Sequence, residues 1–97
     1  MSVFFMVELE SITDEKMYSE YIEKTTPIIK KYGGEYVLRS QCLNPISGDW
    51  NIKRIILIRF ASKDKMQDCF QSNEYKEIVH LRENSSISKA IVIEENC

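Results

Sequence analysis

The sequence predicts an α+β protein of the ferredoxin-like type, with the order β-α-β-β-α-β and two helices on one face of a four-stranded antiparallel sheet. The main observation is that apolar residues alternate in four segments and recur at helical spacing in the segments between them. The second is composition, since 43% hydrophobic and 29% charged residues are typical of a globular protein. The length of 97 residues predicts a single domain over residues 1–97.

The first strand is predicted from Val3 to Leu9. Its odd positions are all apolar, and Phe4 and Met6 make the other side largely apolar as well. Both faces of this strand are therefore expected to be mostly buried, with Glu8 as the one charged residue on the second face.

The first helix is predicted to begin after Thr13, whose hydroxyl is a suitable N-cap. Apolar residues then recur at 3.6-residue spacing up to Tyr32 and predict one buried helix face. Pro27 lies inside this stripe and removes a backbone donor, so a kink or a local break is expected there. Gly33-Gly34 supplies the left-handed residue that commonly ends a helix.

The rest of the chain alternates between β-forming segments, turn residues and helical stripes. Ser62 and Ser72 are potential helix caps at two successive points of the second helical region. The remaining predicted elements are, in order, a strand from Glu35 to about Cys42, a loop over residues 43–52, a strand over Lys53–Phe60, the helical region from Ser62, and a last strand over Ile87–Glu94.

One face of the predicted sheet lies away from the helices, and its side chains are too apolar for a surface left in water. This predicts a homodimer in which a second copy packs against that face by two-fold symmetry. On the second strand two alternatives stay open, because either Val37 and Arg39 or Tyr36 and Leu38 could point inward. The residues assigned to the outer face are Phe4, Met6 and Glu8 on the first strand and Ile55, Leu57 and Arg59 on the third.

Charge and composition argue against several classes of function. The 13 basic and 15 acidic residues give a net charge of −2, without the basic surface expected for binding nucleic acids or anionic membranes. The longest apolar run, Ile55–Ile58, is too short to cross a membrane, and the first residues do not resemble a signal peptide. The three cysteines are far apart and His80 is the only histidine, so no metal site is predicted. A cytoplasmic protein without a cofactor is expected.

Five blocks of the sequence occur in a characteristic order: Tyr32–Arg39, Gly48–Trp50, Arg54–Phe60, Phe70–Tyr75 and Leu81-Arg82. With these blocks the chain resembles, from about Val3 to Glu94, the family known as domain of unknown function 1330. The resemblance implies a dimeric α/β barrel, a homodimer with a lumen or cleft, and no established reaction. The sequence departs from the family pattern at Ser40-Gln41-Cys42, where glycines are usual, and at Arg59, where an acidic residue is usual.

Three residues in or beside the predicted strands are candidate ligand-binding residues. Arg39 and Arg59 are candidates to anchor an anionic group, since a guanidinium in apolar surroundings needs a carboxylate partner or an anionic ligand. For Arg39 the alternatives are an ion pair with Glu8 or Glu10, or exposure at the strand end. Trp50, the only tryptophan, lies in a loop where it could line a pocket or pack on the dimer interface.

Tyr75 and Arg82 are seven residues apart and share a predicted helical face with Ile78. Both are further candidate ligand-binding residues, although Tyr75 also fits a core ring and Arg82 also fits a charge at the end of a helix dipole. His80 points away from this face, so it is expected to be exposed and without a role in function.

Two hypotheses of function follow. The first is a dimeric protein that binds a small, part-apolar metabolite, which can carry an anionic group, in a cleft near the inter-sheet interface. The second is a cofactor-independent oxygenase or isomerase that acts on a hydrophobic acid or phenol. Its candidate catalytic base is Glu8, because an apolar sheet face would raise the pKa of a carboxyl group. RNA binding is not predicted, since the third strand is aliphatic where stacking rings would be needed.

Overall fold

The computed structural model describes residues 1–97, which form four strands and three helices. In chain order these are β1 (Val3–Ile12), α1 (Glu15–Lys31), β2 (Glu35–Ser40), β3 (Arg54–Phe60), α2 (Lys63–Phe70), α3 (Asn73–Glu83) and β4 (Ser86–Glu94). The strands form one antiparallel sheet in the order β2-β3-β1-β4, which confirms the predicted ferredoxin-like fold. None of the three helices combines the length and the apolar character that a membrane span requires.

Helix α1 is capped one residue later than predicted. The Asp14 carboxylate, rather than the Thr13 hydroxyl, accepts a hydrogen bond from the backbone N–H of Met17 at 3.0 Å. The helix continues through Pro27, so of the kink or local break expected there the break does not occur. Pro27 is exposed, so water can solvate the carbonyl that loses its donor. The helix ends before Gly33, whose φ of +81° is the left-handed conformation that favours glycine.

The second helical region consists of two helices rather than one. Ser62 starts α2 by accepting a hydrogen bond from the N–H of Lys65 at 3.2 Å, as predicted. The Ser72 hydroxyl donates to the Cys69 carbonyl at 2.7 Å and accepts from the Tyr75 N–H at 3.2 Å. One side chain thereby provides a hydrogen-bond partner for a backbone carbonyl at the end of α2 and for a backbone N–H at the start of α3. This stabilises the break between the two helices.

The helices cover the sheet face that carries the odd-numbered residues of β1. Val3 and Leu9 of this strand are buried, and so are Ile56, Ile58 and Phe60 of β3. These residues and the inner sides of the helices form the hydrophobic core. The predicted division of both strands into inward and outward sides is therefore confirmed.

A β-bulge at Val37 decides which residues of β2 face the helices. Tyr36 lies opposite Ile58, and Arg39 lies opposite Ile56, so three positions of β2 match two positions of β3. Because Ile56 and Ile58 face the core, Tyr36 and Arg39 lie on the same side of the sheet. Neither of the two regular alternations considered for this strand occurs.

Candidate functional site

The side of the sheet turned away from the helices, called the open face below, is largely apolar. Its residues include Glu35, Leu38 and Ser40 of β2, Ile55, Leu57 and Arg59 of β3, Phe4, Met6 and Glu8 of β1, and Lys89, Ile91 and Ile93 of β4. Leu38 is 50% exposed, Ile91 56% and Ile93 40%. Contiguous apolar surface of this kind is typical of an interaction site.

A groove of about 530 Å³ lies at one end of the open face, between residues 47–52 of the β2–β3 loop and the neighbouring parts of β1 and β4. Trp50 forms one wall, and its indole N–H donates a hydrogen bond to the Ser47 carbonyl at 2.6 Å. The Asn51 amide donates to the Glu10 carboxylate at 3.3 Å and connects the loop to β1. The first hydrogen bond is internal to the loop, and the second holds the loop over the sheet.

The polar part of the groove is mainly acidic. Glu8, Glu10 and Asp49 line it, and Lys89 is the one basic residue among its walls. The Glu8 side chain is 19% exposed, and its carboxylate lies 3.9 Å from the Lys89 ammonium group. The structure therefore brings the predicted site residues Glu8 and Trp50 into one groove, with hydrogen-bond acceptors in excess.

An apolar hollow of about 380 Å³ adjoins the groove and shares Trp50 and Ile52 with it. Ile46, at the tip of the loop, is 99% exposed. The groove and the hollow together place an apolar wall next to a polar one. The apolar residues of the hollow are Leu43, Pro45, Ile46, Trp50, Ile52 and Ile55.

Arg59 lies on the open face but outside this groove. It pairs across the sheet with Phe4, whereas Glu8 pairs with Ile55, four positions away along β3. At about 3.3 Å per residue this separation is roughly 13 Å. Arg59 forms a loose ion pair with Glu35 of β2 at 3.9 Å.

Tyr75 and Arg82 meet on the other side of the sheet, beneath the helices. Arg82 Nη1 donates to the Tyr75 hydroxyl at 3.0 Å, and the Tyr21 hydroxyl lies 2.8 Å from that of Tyr75. Burial, together with the neighbouring Tyr21, raises the pKa of Tyr75 well above its ordinary value of 10.0. This phenol therefore stays protonated at neutral pH, and it is placed as a hydrogen-bonding group rather than as a base.

Arg39 is exposed at the end of β2, which is one of the alternatives considered from the sequence. Its guanidinium lies over the ring of Tyr36, with Cζ 4.5 Å from the ring centroid. It makes no ion pair with Glu8 or Glu10, and it lies on the opposite side of the sheet from Glu8.

Sequence reasoning missed four residues that lie on the same side of the sheet as Tyr75 and Arg82. Tyr18, Tyr21 and Thr25 were assigned only to the buried stripe of α1, and all three are buried. Arg54 was not among the predicted site residues, and it lies opposite Leu9 on the helix-facing side. The alternation of β3, which places Arg54 with Ile56 and Ile58, was the signal that could have found it.

His80 and the three cysteines belong neither to the groove with Glu8 and Trp50 nor to the cluster of Tyr75 and Arg82. His80 is exposed, as predicted. Cys69 is fully buried, and burial raises the pKa of its thiol to about 11, while Cys42 and Cys97 are exposed and free. No three His, Cys, Asp or Glu side chains of the chain come together in a way that would hold a metal ion.

Solved structures with the same fold include proteins of known and of unknown function. A protein of unknown function from Rhodopseudomonas palustris is 15% identical with a TM-score of 0.84, over 99% of this chain and 83% of that one. SnoaB, a cofactor-independent oxygenase from Streptomyces nogalater, is 9% identical with a TM-score of 0.71, over 99% and 94%. A dimeric protein of unknown function with a ferredoxin-like fold from Bacteroides fragilis is 11% identical with a TM-score of 0.54, over 96% and 95%. Identities this low show a shared fold.

No curated protein matches the sequence. The family described as domain of unknown function (DUF1330) matches residues 2–96, which is nearly the entire chain. This agrees with the resemblance drawn from the five sequence blocks, and the chain belongs to the DUF1330 family.

Proposed function

We propose that the protein is a homodimer that binds a small, part-apolar molecule in the groove at the edge of its inter-sheet interface. The observation that carries the proposal is the groove of about 530 Å³, which opens beside the apolar open face and contains both Glu8 and Trp50. Ligand pockets usually occupy about 300–1,000 Å³ and combine apolar walls with a few polar groups.

The open face supports the dimer. Its apolar side chains extend over β2, β3, β1 and β4, so a second copy packing face to face would remove them from water. The Bacteroides fragilis structure with the same fold is of a dimeric protein. In such a dimer the loop that carries Trp50 stands at the rim of the interface, where the groove stays open to solvent.

The charges of the groove define the polar part of its ligand. Glu8, Glu10 and Asp49 supply acceptor oxygens, and Lys89 is the single cation. An anionic ligand would be repelled by three carboxylates, whereas a phenol, an alcohol or an amine would find acceptors. The apolar part of the ligand would lie against Trp50 and Ile52. The anion-binding role considered for Arg39 and Arg59 does not apply to this groove, because neither residue lines it.

A cofactor-independent enzyme is the second candidate function. The likeness to SnoaB, which is a cofactor-independent oxygenase, favours it at the level of the fold. In this chain Glu8 would be the base, since its carboxylate is mostly buried beside the apolar wall of Trp50. Turnover of a bound phenol that stops in Glu8→Gln, with binding retained, would support catalysis rather than binding alone.

Trp50 provides the test, because it is the only tryptophan and forms a wall of the groove. Its fluorescence is followed on titration with phenethylamine, phenol and benzoate. Saturable changes with the amine or the phenol, and weaker changes with benzoate, are expected. In Glu8→Gln the amine should bind more weakly, while His80→Gln serves as a matched surface control. Equal responses to all three compounds, or none at all, would contradict the proposed site.

A further inference from the structure

Three arginines on the helix-facing side of the sheet have no carboxylate partner. Arg39 and Arg54 lie on neighbouring strands, opposite Ile56 and Leu9, and Arg82 reaches the same side from α3. The five ion pairs of the structure all involve other residues. Arg39 is exposed, but Arg54 and Arg82 are partly buried, and a guanidinium group in partly apolar surroundings is unfavourable unless an anion lies beside it. This side of the sheet therefore has an excess of positive charge.

Two of these arginines, Arg54 and Arg82, have hydrogen-bond donors that the protein does not fully use. Arg54 Nε is buried and has no hydrogen-bond partner. The one hydrogen bond of the Arg82 side chain goes to the Tyr75 hydroxyl at 3.0 Å. Burial raises the pKa of Tyr18, while the charges of Arg54 and Arg82 act to lower it. Arg54 lies opposite Leu9 on the sheet, and Leu9, Tyr18 and Arg82 line the same small hollow.

Tyr18 and Arg82 also line a small hollow of about 30 Å³ between the helices and the sheet. Thr25 lines it as well; this residue is 2% exposed, and its hydroxyl has no hydrogen-bond partner. A space of this size holds about one or two water-sized groups. The other walls are mainly apolar and include Phe5, Val7, Leu9, Ile29, Ile56 and Ile58.

The hydrogen-bonding groups around the hollow are short of acceptors. A single hydrogen bond joins the Tyr21 and Tyr75 hydroxyls, and Arg82 can only donate. One of the two phenolic protons therefore has no acceptor within the protein. The Thr25 hydroxyl and the Arg54 Nε–H likewise have no hydrogen-bond partner. A neutral water would satisfy some of these donors, but it would leave both guanidinium charges without a counter-charge.

We propose that this hollow, with Arg82 in its wall and Arg54 beside its lining residue Leu9, forms a binding site for a small monovalent oxyanion of the size of a carboxylate group. Arg54 and Arg82 supply the positive charge, and the Thr25 hydroxyl donates the neutral hydrogen bond. The site lies on the opposite side of the sheet from the groove with Glu8 and Trp50. It is independent of the function proposed for that groove, and its ligand has the opposite charge.

Formate is the appropriate probe, because it is the smallest carboxylate. The arginine Nε–H resonances of the full-length protein are followed by NMR while formate replaces gluconate at constant ionic strength. Gluconate carries the same charge but is too large for the hollow, and formamide is the neutral molecule of matching shape. Saturable shifts of the Arg54 and Arg82 signals are expected with formate alone. The Arg59 signal, from the open face, is the internal control.

Two variants separate binding from folding. Thr25→Val keeps the shape of the side chain and should weaken formate binding about tenfold, since one hydrogen bond to a charged group is lost. Without formate this variant should be at least as stable as the natural protein, because a buried unpartnered hydroxyl is removed. Arg54→Gln should abolish the saturable shift of Arg82, and Arg59→Gln should leave it unchanged.

The proposal is overturned if the Arg54 signal moves no more than the Arg59 signal over the whole titration. It is equally overturned if formamide or gluconate produces the same shifts as formate, since the hollow then holds a neutral molecule or responds only to bulk salt. Unchanged formate affinity in Thr25→Val would also count against the site, even if Arg54→Gln fails to fold.

Discussion

The guanidinium group of Arg39 lies over the ring of Tyr36, with Arg39 Cζ 4.5 Å from the ring centroid. The two residues are three positions apart on one strand, so a regular alternation would place them on opposite sides of the sheet. The extra residue, Val37, brings both to the helix-facing side. A bulge in β2 thus sets the position of the outermost of the three arginines without carboxylate partners.

Removal of this contact should have a small, measurable effect on stability. In Arg39→Ala the free energy of unfolding is expected to fall by about 0.5–1 kcal/mol, the range of an exposed cation–π contact. Urea denaturation measures it. Arg59→Ala is the matched control, because its ion pair with Glu35 is loose and exposed and should contribute less. An equal or larger loss in the control would show that the stacking on Tyr36 contributes nothing specific.

The turn after α1 allows a comparison of two adjacent glycines. A Cβ on Gly34 would clash with the Ile29 side chain and lie 2.9 Å from both the Ile29 carbonyl oxygen and a ring atom of Phe60, so Gly34→Ala should destabilise the protein by about 1–3 kcal/mol through overpacking. Gly33 has open space around it but a φ of +81°, so Gly33→Ala should lose about 1 kcal/mol, and Gly33→Asn less. Thermal and urea unfolding measure the order of stability of these three variants. A fully stable Gly34→Ala would mean that the helix end does not approach the sheet this closely.

Much of the fold follows from local patterns in the sequence. Which residues of β1 and β3 face the helices could be predicted from their alternation. Both are central strands, with apolar residues on both faces and polar residues only near the ends. The bulge at Val37 could not, since it depends on pairing with β3 and leaves no mark in the composition of β2. The cap of α1 shifted by one residue because Thr13 and Asp14 are both capping residues, and the Asp14 carboxylate is the one that accepts from the Met17 N–H.

The candidate sites were less predictable than the fold. Glu8 and Trp50 are 42 positions apart in the sequence and share a groove only because the β2–β3 loop lies over β1 and β4. Tyr75 and Arg82 could be paired from helical spacing, and their contact at 3.0 Å confirms the shared face. The role proposed for Arg54 depends on its having no ion pair with a carboxylate, and a sequence pattern cannot show this.

The stability of the protein should decrease at alkaline pH because of groups buried in their neutral forms. Burial raises the pKa of the Cys69 thiol from 9.0 to about 11, and that of Tyr75 above its ordinary value of 10.0. Above pH 9.0 the unfolded chain therefore releases protons that the folded chain keeps, so the free energy of unfolding falls as the pH rises. Urea denaturation at a series of pH values measures this slope.

Cys69→Ala separates the contributions of the thiol and the phenols. Without the thiol, the decrease in stability should begin at a higher pH, because the unfolded tyrosines have an ordinary pKa of 10.0 and the unfolded thiol one of 9.0. His80→Gln should leave the alkaline profile unchanged, since this side chain is exposed. If Cys69→Ala had the same profile as the natural protein, the buried thiol would not contribute to the alkaline loss.

The dimer can be tested with two adjacent residues of β4 that point to opposite sides of the sheet. Ile91 lies opposite Met6 on the open face, and Val92 lies opposite Phe5 on the helix-facing side. Both are partly exposed, at 56% and 39%. Ile91→Lys places a charge within the proposed interface, on the edge strand β4, where it would have to be desolvated without a partner. This variant is expected to be a folded monomer, whereas Val92→Lys is expected to remain a dimer.

Light scattering on a size-exclusion column across a dilution series gives the molar mass, and circular dichroism checks the fold. If the unmodified protein is a monomer at every concentration, or if both variants stay dimeric, the open face is not the interface.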